Sequence, residues 1–195
     1  MTINFNAYRI FETLEGEFER KIVTQNTLDL PNGEVLIQVH YAGLNYKDGL
    51  SSKGHKGITK LFPHTPGLDA SGIVAESTSP KFKEGDKVIV TGYDLGMNTD
   101  GGFGEYIRVP EGWVVPLPTG FSLHQVMIMG TAGFTAALAL HKMEMAGQKP
   151  EMGELLVTGA SGGVGSMAIS IFSKAGYSVV ASSGKIGRAS CRERV

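Results

Sequence analysis

The chain reads Leu155-Leu156-Val157-Thr158-Gly159-Ala160-Ser161-Gly162-Gly163-Val164-Gly165, a short apolar run that leads into a cluster of glycines. After it, a helix is predicted from Ser166 to Lys174, with Gly176 as its C-terminal stop. Residues 177–181 are apolar again and predict a second buried strand. The order of strand, glycine loop, helix and strand predicts one βαβ unit.

The glycine loop predicts a dinucleotide site. In a βαβ unit, free backbone N–H groups and the helix dipole bind a pyrophosphate at this point. Glycines there allow a tight turn, a close approach of the backbone to phosphates, and close packing of the helix on the strand. The predicted cofactor contacts are Gly159, Ser161, Gly162, Gly163, Val164 and Gly165. The alternative is a packing turn that binds no ligand.

The residues after the second strand predict which cofactor binds. NAD enzymes usually carry Asp or Glu about 20 residues after the loop, where it binds the ribose 2′-hydroxyl. This chain has Ser182-Ser183-Gly184-Lys185 instead, and hydroxyls with a cation suit a 2′-phosphate. We therefore expect NADPH, held in part by Ser183, Gly184 and Lys185. The alternative is that these are ordinary loop residues.

The rest of the chain divides into a β-rich part and a helical part. Short apolar runs broken by Gly and Pro predict a compact barrel or sandwich, with strands over 35–41, 71–75, 87–90, 101–110 and 113–118. Residues 122–145 are rich in Leu, Ala and Met and predict two helices, interrupted by Gly130 and Gly133.

Charge and composition exclude several classes of protein. The chain has 195 residues, with 18 Lys and Arg against 19 Asp and Glu. No basic stripe or acidic tail is visible, which argues against nucleic acid or an anionic membrane as the main partner. The start of the chain does not resemble a secretory signal, and we expect no membrane span and a cytoplasmic protein.

The last ten residues differ from the rest. Residues 186–195 contain three Arg, one Glu and the only cysteine, Cys191, without an apolar period or turn residues. They resemble a translated sequencing adapter, and we expect a non-native tail that is excluded from fold reasoning. The alternative is a charged, flexible natural tail. Without it, no disulfide or thiolate site remains.

Four motifs together are similar to one family. They are Gly43-Leu44-Asn45-Tyr46-Lys47-Asp48, Phe62-Pro63-His64-Thr65-Pro66-Gly67-Leu68-Asp69, Gly130-Thr131-Ala132-Gly133-Phe134-Thr135-Ala136 and the stretch 157–165. The chain resembles the medium-chain dehydrogenase/reductase superfamily, and within it the acrylyl-CoA reductase branch of the zinc-free quinone-oxidoreductase-like enzymes. The resemblance implies an α/β protein: a GroES-like barrel over 1–120, then an incomplete Rossmann domain over 121–185.

Departures from the family exclude its zinc chemistry. Zinc alcohol dehydrogenases have a cysteine where Asn45 stands and a histidine where Leu68 stands, and they carry structural-zinc cysteines around residues 91–105. A catalytic zinc needs three N, S or O ligands. The five histidines show no ligand spacing, so we expect no metal and hydride transfer without zinc.

The resemblance places the reacting groups around Asn45 and Tyr46. Tyr46 would contact the nicotinamide or donate a proton, and Asn45 would donate a hydrogen bond to a developing enolate. Asp48 would orient its neighbours, Asp69 would line the cleft, and Thr131 would contact the nicotinamide end. The alternatives are a packed aromatic for Tyr46, a helix cap for Asp48 and Thr131, and a structural turn partner for Asp69.

The implied reaction is reduction of acrylyl-CoA to propionyl-CoA by NADPH. An NADPH quinone or enone reductase of the same fold is the alternative enzyme, and a non-catalytic NADPH-binding protein is the alternative outside catalysis. We expect a homodimer at full length. We also expect the 195-residue chain alone to be unstable or inactive, because one βαβ unit leaves a parallel sheet open.

Overall fold

The computed structural model describes residues 2–184 and the backbone of residues 193–194. It divides into two compact units, the first over residues 1–131 and the second over residues 132–195. Lys185 and the predicted tail lie outside the described residues, apart from a two-residue strand at Glu193–Arg194. The domain boundary at 120/121 stays a prediction.

The first unit is built from antiparallel strands. A hairpin is formed by β1 (Asn4–Glu12) and β2 (Phe18–Asn26). A five-stranded sheet has the order β6-β3-β4-β5-β7, with β3 (Val35–Ala42), β4 (Asp69–Ser77), β5 (Lys87–Thr91), β6 (Tyr106–Val109) and β7 (Val114–Pro116). A short helix, α1 (Tyr46–Ser52), lies in the connection between β3 and β4.

Apolar side chains of the sheet form the core of the first unit. Val35, Ile37, Val74, Val88 and Ile107 are almost fully buried, because alternate residues of a strand point to the same face. The five sheet strands agree with the predicted β-rich region. Neither β1 nor β2 was predicted from the sequence, and the side chains of β2 are mostly polar and exposed.

The helical region is one element with a break. α2 (Leu123–Met145) has non-helical torsions at Gly130, with φ 46° and ψ −153°, so the predicted interruption at Gly130 is confirmed. Gly133 remains helical. We expected no membrane span, and one described helix passes the length and composition test for a span: α2 has 23 residues, and an 18-residue window within it has a mean hydropathy of 1.4. The break leaves helical segments of residues 123–129 and 131–145, each shorter than the ~20 residues that a span needs.

The second unit contains the predicted βαβ arrangement. β8 (Leu155–Thr158) leads through the glycine loop into α3 (Gly163–Lys174), and β9 (Val179–Ser182) then pairs parallel to β8. A two-residue strand, β10 (Glu193–Arg194), pairs antiparallel with β9. Apolar side chains from α2, α3 and the two parallel strands form a separate core around Phe172 and Val179.

Candidate functional site

The start of α1 holds three of the predicted site residues. Asn45 is the N-cap of the helix, Tyr46 is its first residue, and Asp48 is at the third helical position. Asn45 and Asp48 form a capping box, in which the Asn45 backbone N–H donates to Asp48 Oδ2 at 2.7 Å. Asp48 is therefore not the N-cap itself, which was the alternative for it, but it stabilises that cap.

Asp48 is a buried carboxylate held by backbone donors. Its side chain accepts from the N–H of Asn45 and, through Oδ1, from the N–H of Leu68 at 3.1 Å. Burial raises the pKa of Asp48 above its usual range, while these backbone hydrogen bonds work in the opposite direction. The neighbouring carboxylate of Asp69 also raises that pKa.

Asp69 connects the start of α1 to the break in α2. Its carboxylate is buried, with the residue 1% exposed. Asp69 Oδ2 accepts from the Asn45 side-chain amide at 2.8 Å and from the Thr131 N–H at 2.9 Å, and Oδ1 accepts from the Thr131 hydroxyl at 2.7 Å. Both oxygens are thus engaged, and the arrangement fixes the side chains of Asn45 and Thr131.

Sequence reasoning missed the role of Gly130 in this network. A Cβ at Gly130 would lie 2.7 Å from Asp69 Oδ2, and its positive φ disfavours any other residue. The break exposes the N–H of Thr131, and the Asp69 carboxylate accepts from it, as a cap does at a helix N-terminus. A glycine inside an apolar helical stretch was the available signal, but nothing in the sequence pointed to its partner.

We define the Asp69 network as Asn45, Asp48, Asp69, Gly130 and Thr131. Among the described residues, no Lys, Arg or His forms an ion pair with either carboxylate. Nor does the described part of the chain bring together three His, Cys, Asp or Glu that could hold a metal ion. The charge of the network is balanced by N–H and O–H donors alone.

Tyr46 points away from this network. The residue is 84% exposed, and the neighbouring Leu44 is 87% exposed. An open groove of about 510 Å³ runs beside α1, lined by Asn45, Asp48, Gly49 and Ser52 and, across from them, by Tyr8 and Phe103. We call it the α1 groove. The alternative of a packed aromatic does not fit the exposure of Tyr46, and its contact with a cofactor or substrate stays a prediction.

The glycine loop of the second unit has the geometry that close packing requires. Gly159 has φ +64°, which L side chains rarely adopt. A Cβ on Gly165 would lie 2.3 Å from the carbonyl oxygen of Gly159, so only glycine fits there. The loop is fixed to the end of β9 because the N–H of Ala160 donates to the carbonyl of Ser182 at 3.1 Å.

The loop presents backbone and hydroxyl groups to solvent. Gly162 is the N-cap of α3, and no side chain of the described residues caps this helix end. Gly163 and Val164 are exposed at the first turn. The hydroxyls of Ser161 and Ser183 lie 2.9 Å apart, which joins the loop to the residues predicted to choose the cofactor.

The predicted site residues therefore form two groups. The first unit brings together Asn45, Asp48, Asp69 and Thr131, with Tyr46 beside them in sequence and exposed. The second unit brings together the glycine loop and Ser183. The roles of all these residues stay predictions, and Lys185 lies outside the described part of the chain.

Comparisons with known proteins agree with these features. Residues 31–119 match the alcohol dehydrogenase GroES-like domain family. The chain is 50% identical over 180 residues to YhfP of Bacillus subtilis (strain 168), whose name places it among quinone oxidoreductases. It is 43% identical over 182 residues to the acrylyl-CoA reductase AcuI of Ruegeria pomeroyi. These alignments cover 90% and 93% of the chain but 54% and 55% of the relatives, so the chain spans about half their length.

Solved structures give the same result. The yhdH oxidoreductase of Salmonella enterica, in complex with NADP, matches with a TM-score of 0.88 and 42% identity, covering 95% of this chain and 56% of that one. Bacillus subtilis yhfP with NAD bound matches with a TM-score of 0.90 and 48% identity, covering 94% and 55%. The predicted fold class and the predicted resemblance to the medium-chain dehydrogenase/reductase superfamily are both confirmed.

Proposed function

We propose that the protein containing this chain is an NADPH-dependent oxidoreductase that reduces the activated C=C bond of a short enoyl-CoA, acrylyl-CoA to propionyl-CoA, without zinc. The observation that carries the proposal is the glycine loop on a parallel βαβ unit, where Gly165 allows α3 to approach Gly159 closely. The name of the Ruegeria pomeroyi relative supports the substrate. We also propose a cytoplasmic homodimer.

The residues of the second unit fit a dinucleotide phosphate. The exposed first turn of α3 offers backbone N–H groups with no side-chain cap, which favours a bound anion. The adjacent hydroxyls of Ser161 and Ser183 suit a 2′-phosphate, and a carboxylate at Ser183 would repel it. NADPH supplies a hydride when it is bound. One similar structure holds NADP and another holds NAD, so the preference needs its own test.

The first unit supplies the groups that act on substrate. The exposed phenol of Tyr46 can donate a hydrogen bond or a proton to the substrate as charge develops on its carbonyl oxygen. Asn45 gives one amide N–H to Asp69 and keeps the other for a ligand. Asp69 and Asp48 act as positioning residues, because their carboxylates accept hydrogen bonds from Asn45, Thr131 and the Leu68 N–H, which are all groups of the protein itself.

The absence of a zinc requirement follows from the donor set. Asn45 and Leu68 replace the family's cysteine and histidine ligands, and Asn45 is bound to the Asp69 carboxylate. An amide and an aliphatic side chain cannot complete three zinc ligands. The proposed reaction suits this site, since an enolate can be stabilised by hydrogen-bond donors alone.

The test uses the gene product, meaning the protein translated from the complete reading frame that contains this sequence. The frame is first sequenced through codon 184, and the product is then assayed for NADPH oxidation with acrylyl-CoA and with a simple quinone. We expect turnover of acrylyl-CoA with a higher kcat/KM, unaffected by a zinc chelator. Faster quinone turnover would support the quinone reductase suggested by the name of YhfP.

Replacement of Tyr46 separates catalysis from binding. Because Tyr46 is exposed, Tyr46→Phe leaves stability unchanged and removes only a hydroxyl. We expect kcat to fall by ~10²-fold or more, within the usual range for a general acid. NADPH binding without turnover, and no change in Tyr46→Phe, would support a non-catalytic NADPH-binding protein instead.

A further inference from the structure

The α1 groove has one end at the candidate site and the other at the end of α1. Asn45 and Ser52 mark these ends, and Ser52 is seven positions along the helix from Asn45, a distance of roughly 10 Å. Opposite the helix, the rings of Tyr8 and Phe103 meet edge to face with centroids 6.4 Å apart. Leu44 adds an apolar wall. The groove therefore suits a narrow, weakly polar arm.

Two cationic residues lie next to Ser52, at one end of the groove. The Arg20 guanidinium donates through Nε to the Ser52 carbonyl at 2.7 Å, which leaves its terminal N–H groups available. Lys53 follows directly in the chain. Residues 47–60 carry four lysines and one acid, the buried Asp48, in a chain whose formal net charge is −1.

Three of these four lysines form no ion pair with the described residues. Among the residues that the structure describes, Lys56 pairs with Glu12, while Lys47, Lys53 and Lys60 form no ion pair and are exposed. The turns after α1 are fixed by the hydrogen bond between Ser51 Oγ and Thr59 Oγ1 at 2.7 Å, both buried. Among the described residues, Lys53, at the C-cap of α1, is therefore an exposed cation without an ion pair, next to Ser52 in the chain.

A ligand with a narrow arm and phosphates at one end matches this groove and the two cations beside it. We infer that the α1 groove binds the pantetheine arm of a coenzyme A thioester, with Arg20 and Lys53 bound to its phosphates. The thioester end then lies toward Asn45. The inference deepens the proposed function and rests on it, because it selects a CoA ester over a quinone, which has no phosphates for these cations to bind.

The phosphate half of the inference is tested with free CoA and with 3′,5′-ADP. Their Kd values for the gene product are measured by calorimetry, with and without saturating NADPH. We expect the double variant Arg20→Gln/Lys53→Gln to weaken both ligands about tenfold or more, and added salt to weaken both in the native protein. Lys83→Gln, an exposed lysine elsewhere, is the matched control and leaves both Kd values unchanged.

The arm half is tested at Gly49, where a new side chain would meet nothing within 4 Å. Gly49→Leu therefore leaves the fold intact while filling the groove. We expect weaker binding of CoA and of pantetheine, and unchanged binding of 3′,5′-ADP, which has no arm. Thermal unfolding of the variant confirms that its stability is retained.

Each alternative outcome has one meaning. The inference is overturned if the Arg20/Lys53 variant binds CoA as tightly as the native protein, or if Lys83→Gln weakens CoA binding equally; the cations then form only a solvated basic surface. It is also overturned if NADPH displaces CoA completely, because CoA then occupies the cofactor site. Turnover of acrylyl-CoA is measured separately. If the protein does not reduce acrylyl-CoA but binds CoA, and the Arg20/Lys53 variant weakens that binding, the proposed reductase is rejected and the CoA site is kept. If the protein reduces acrylyl-CoA but the variant binds CoA as tightly as the native protein, the CoA site is rejected and the proposed reductase is kept.

Discussion

The two candidate regions are stabilised by different kinds of interaction. In the first unit, the Asp69 network depends on two buried carboxylates, which accept hydrogen bonds of 2.7 to 3.1 Å from a side-chain amide, a hydroxyl and backbone N–H groups. In the second unit, the glycine loop depends on the absence of side chains, and its polar groups are mostly backbone and exposed. The first is rigid through hydrogen bonds, and the second through close backbone packing.

This difference predicts how each region tolerates substitution. A buried hydrogen-bonded network fails when a partner changes chemically, even if the shape is kept, because donors are left unsatisfied. A close-packed loop fails when any volume is added, whatever its chemistry. The two regions should therefore respond differently to isosteric changes and to added carbon atoms.

The largest effect is expected from Gly165→Val. The new Cβ would lie 2.3 Å from the Gly159 carbonyl oxygen, and backbone atoms cannot move aside cheaply. We expect a loss of about 3 kcal/mol or more in the free energy of unfolding of the gene product, measured in urea. Gly163→Ala is the matched control, since its Cβ would meet Ala132 at an ordinary 3.7 Å. Equal stability of the two variants would contradict close packing at Gly165.

The next effect is expected from Asp69→Asn, which keeps the shape and removes the charge. The amide places N–H donors where Asn45 and Thr131 also donate, so buried donors lose their acceptor. We expect a loss of about 2 kcal/mol in the free energy of unfolding. Asp29→Asn, at an exposed aspartate, is the control and should cost nothing measurable. A neutral Asp69→Asn would show that the network does not need the carboxylate.

The contrast between the two regions also explains why the glycine loop could be predicted from the sequence better than the Asp69 network. The glycine loop is local: strand, loop, helix and strand follow within 30 residues, and each glycine signals its own constraint. The Asp69 network joins residues 45, 69 and 131, which only folding brings together. The motif match identified these residues one by one as site candidates. It could not show that Asp69 accepts from Thr131 at a break made by Gly130.

The same reasoning explains the elements that the sequence did not indicate. β2 pairs with β1 along nine residues, yet most of its side chains are polar, so no alternating pattern marks it. α1 has seven residues, which is too short for a helical period to be recognised. The family resemblance makes Asn45 and Asp48 catalytic candidates, with a helix cap as the alternative for Asp48, and the structure shows that the two residues cap α1 together.

A smaller effect, on affinity rather than stability, is expected from Ser183→Asp in the second unit. The hydroxyl of Ser183 lies 2.9 Å from that of Ser161, and a carboxylate there would repel a 2′-phosphate and accept from a 2′-hydroxyl. We expect the ratio of NADPH to NADH affinity to fall about tenfold, which corresponds to about 1.4 kcal/mol. Ser183→Ala is the control, with a smaller change. An unchanged ratio would place cofactor selection elsewhere.

The smallest effect concerns the pH dependence of the Asp69 network. Burial raises the pKa of Asp48 above its ordinary 3.8, so the folded protein binds this proton at pH values where the unfolded chain has released it. As pH rises through the window between 3.8 and the raised pKa, Asp48 therefore lowers the free energy of unfolding. Asp48→Asn removes this dependence but not the burial. Urea unfolding of both proteins across that window should show native stability falling relative to the variant as pH rises. The opposite slope would mean that the backbone donors from Asn45 and Leu68 outweigh burial, and that Asp48 is an ordinary ionised cap.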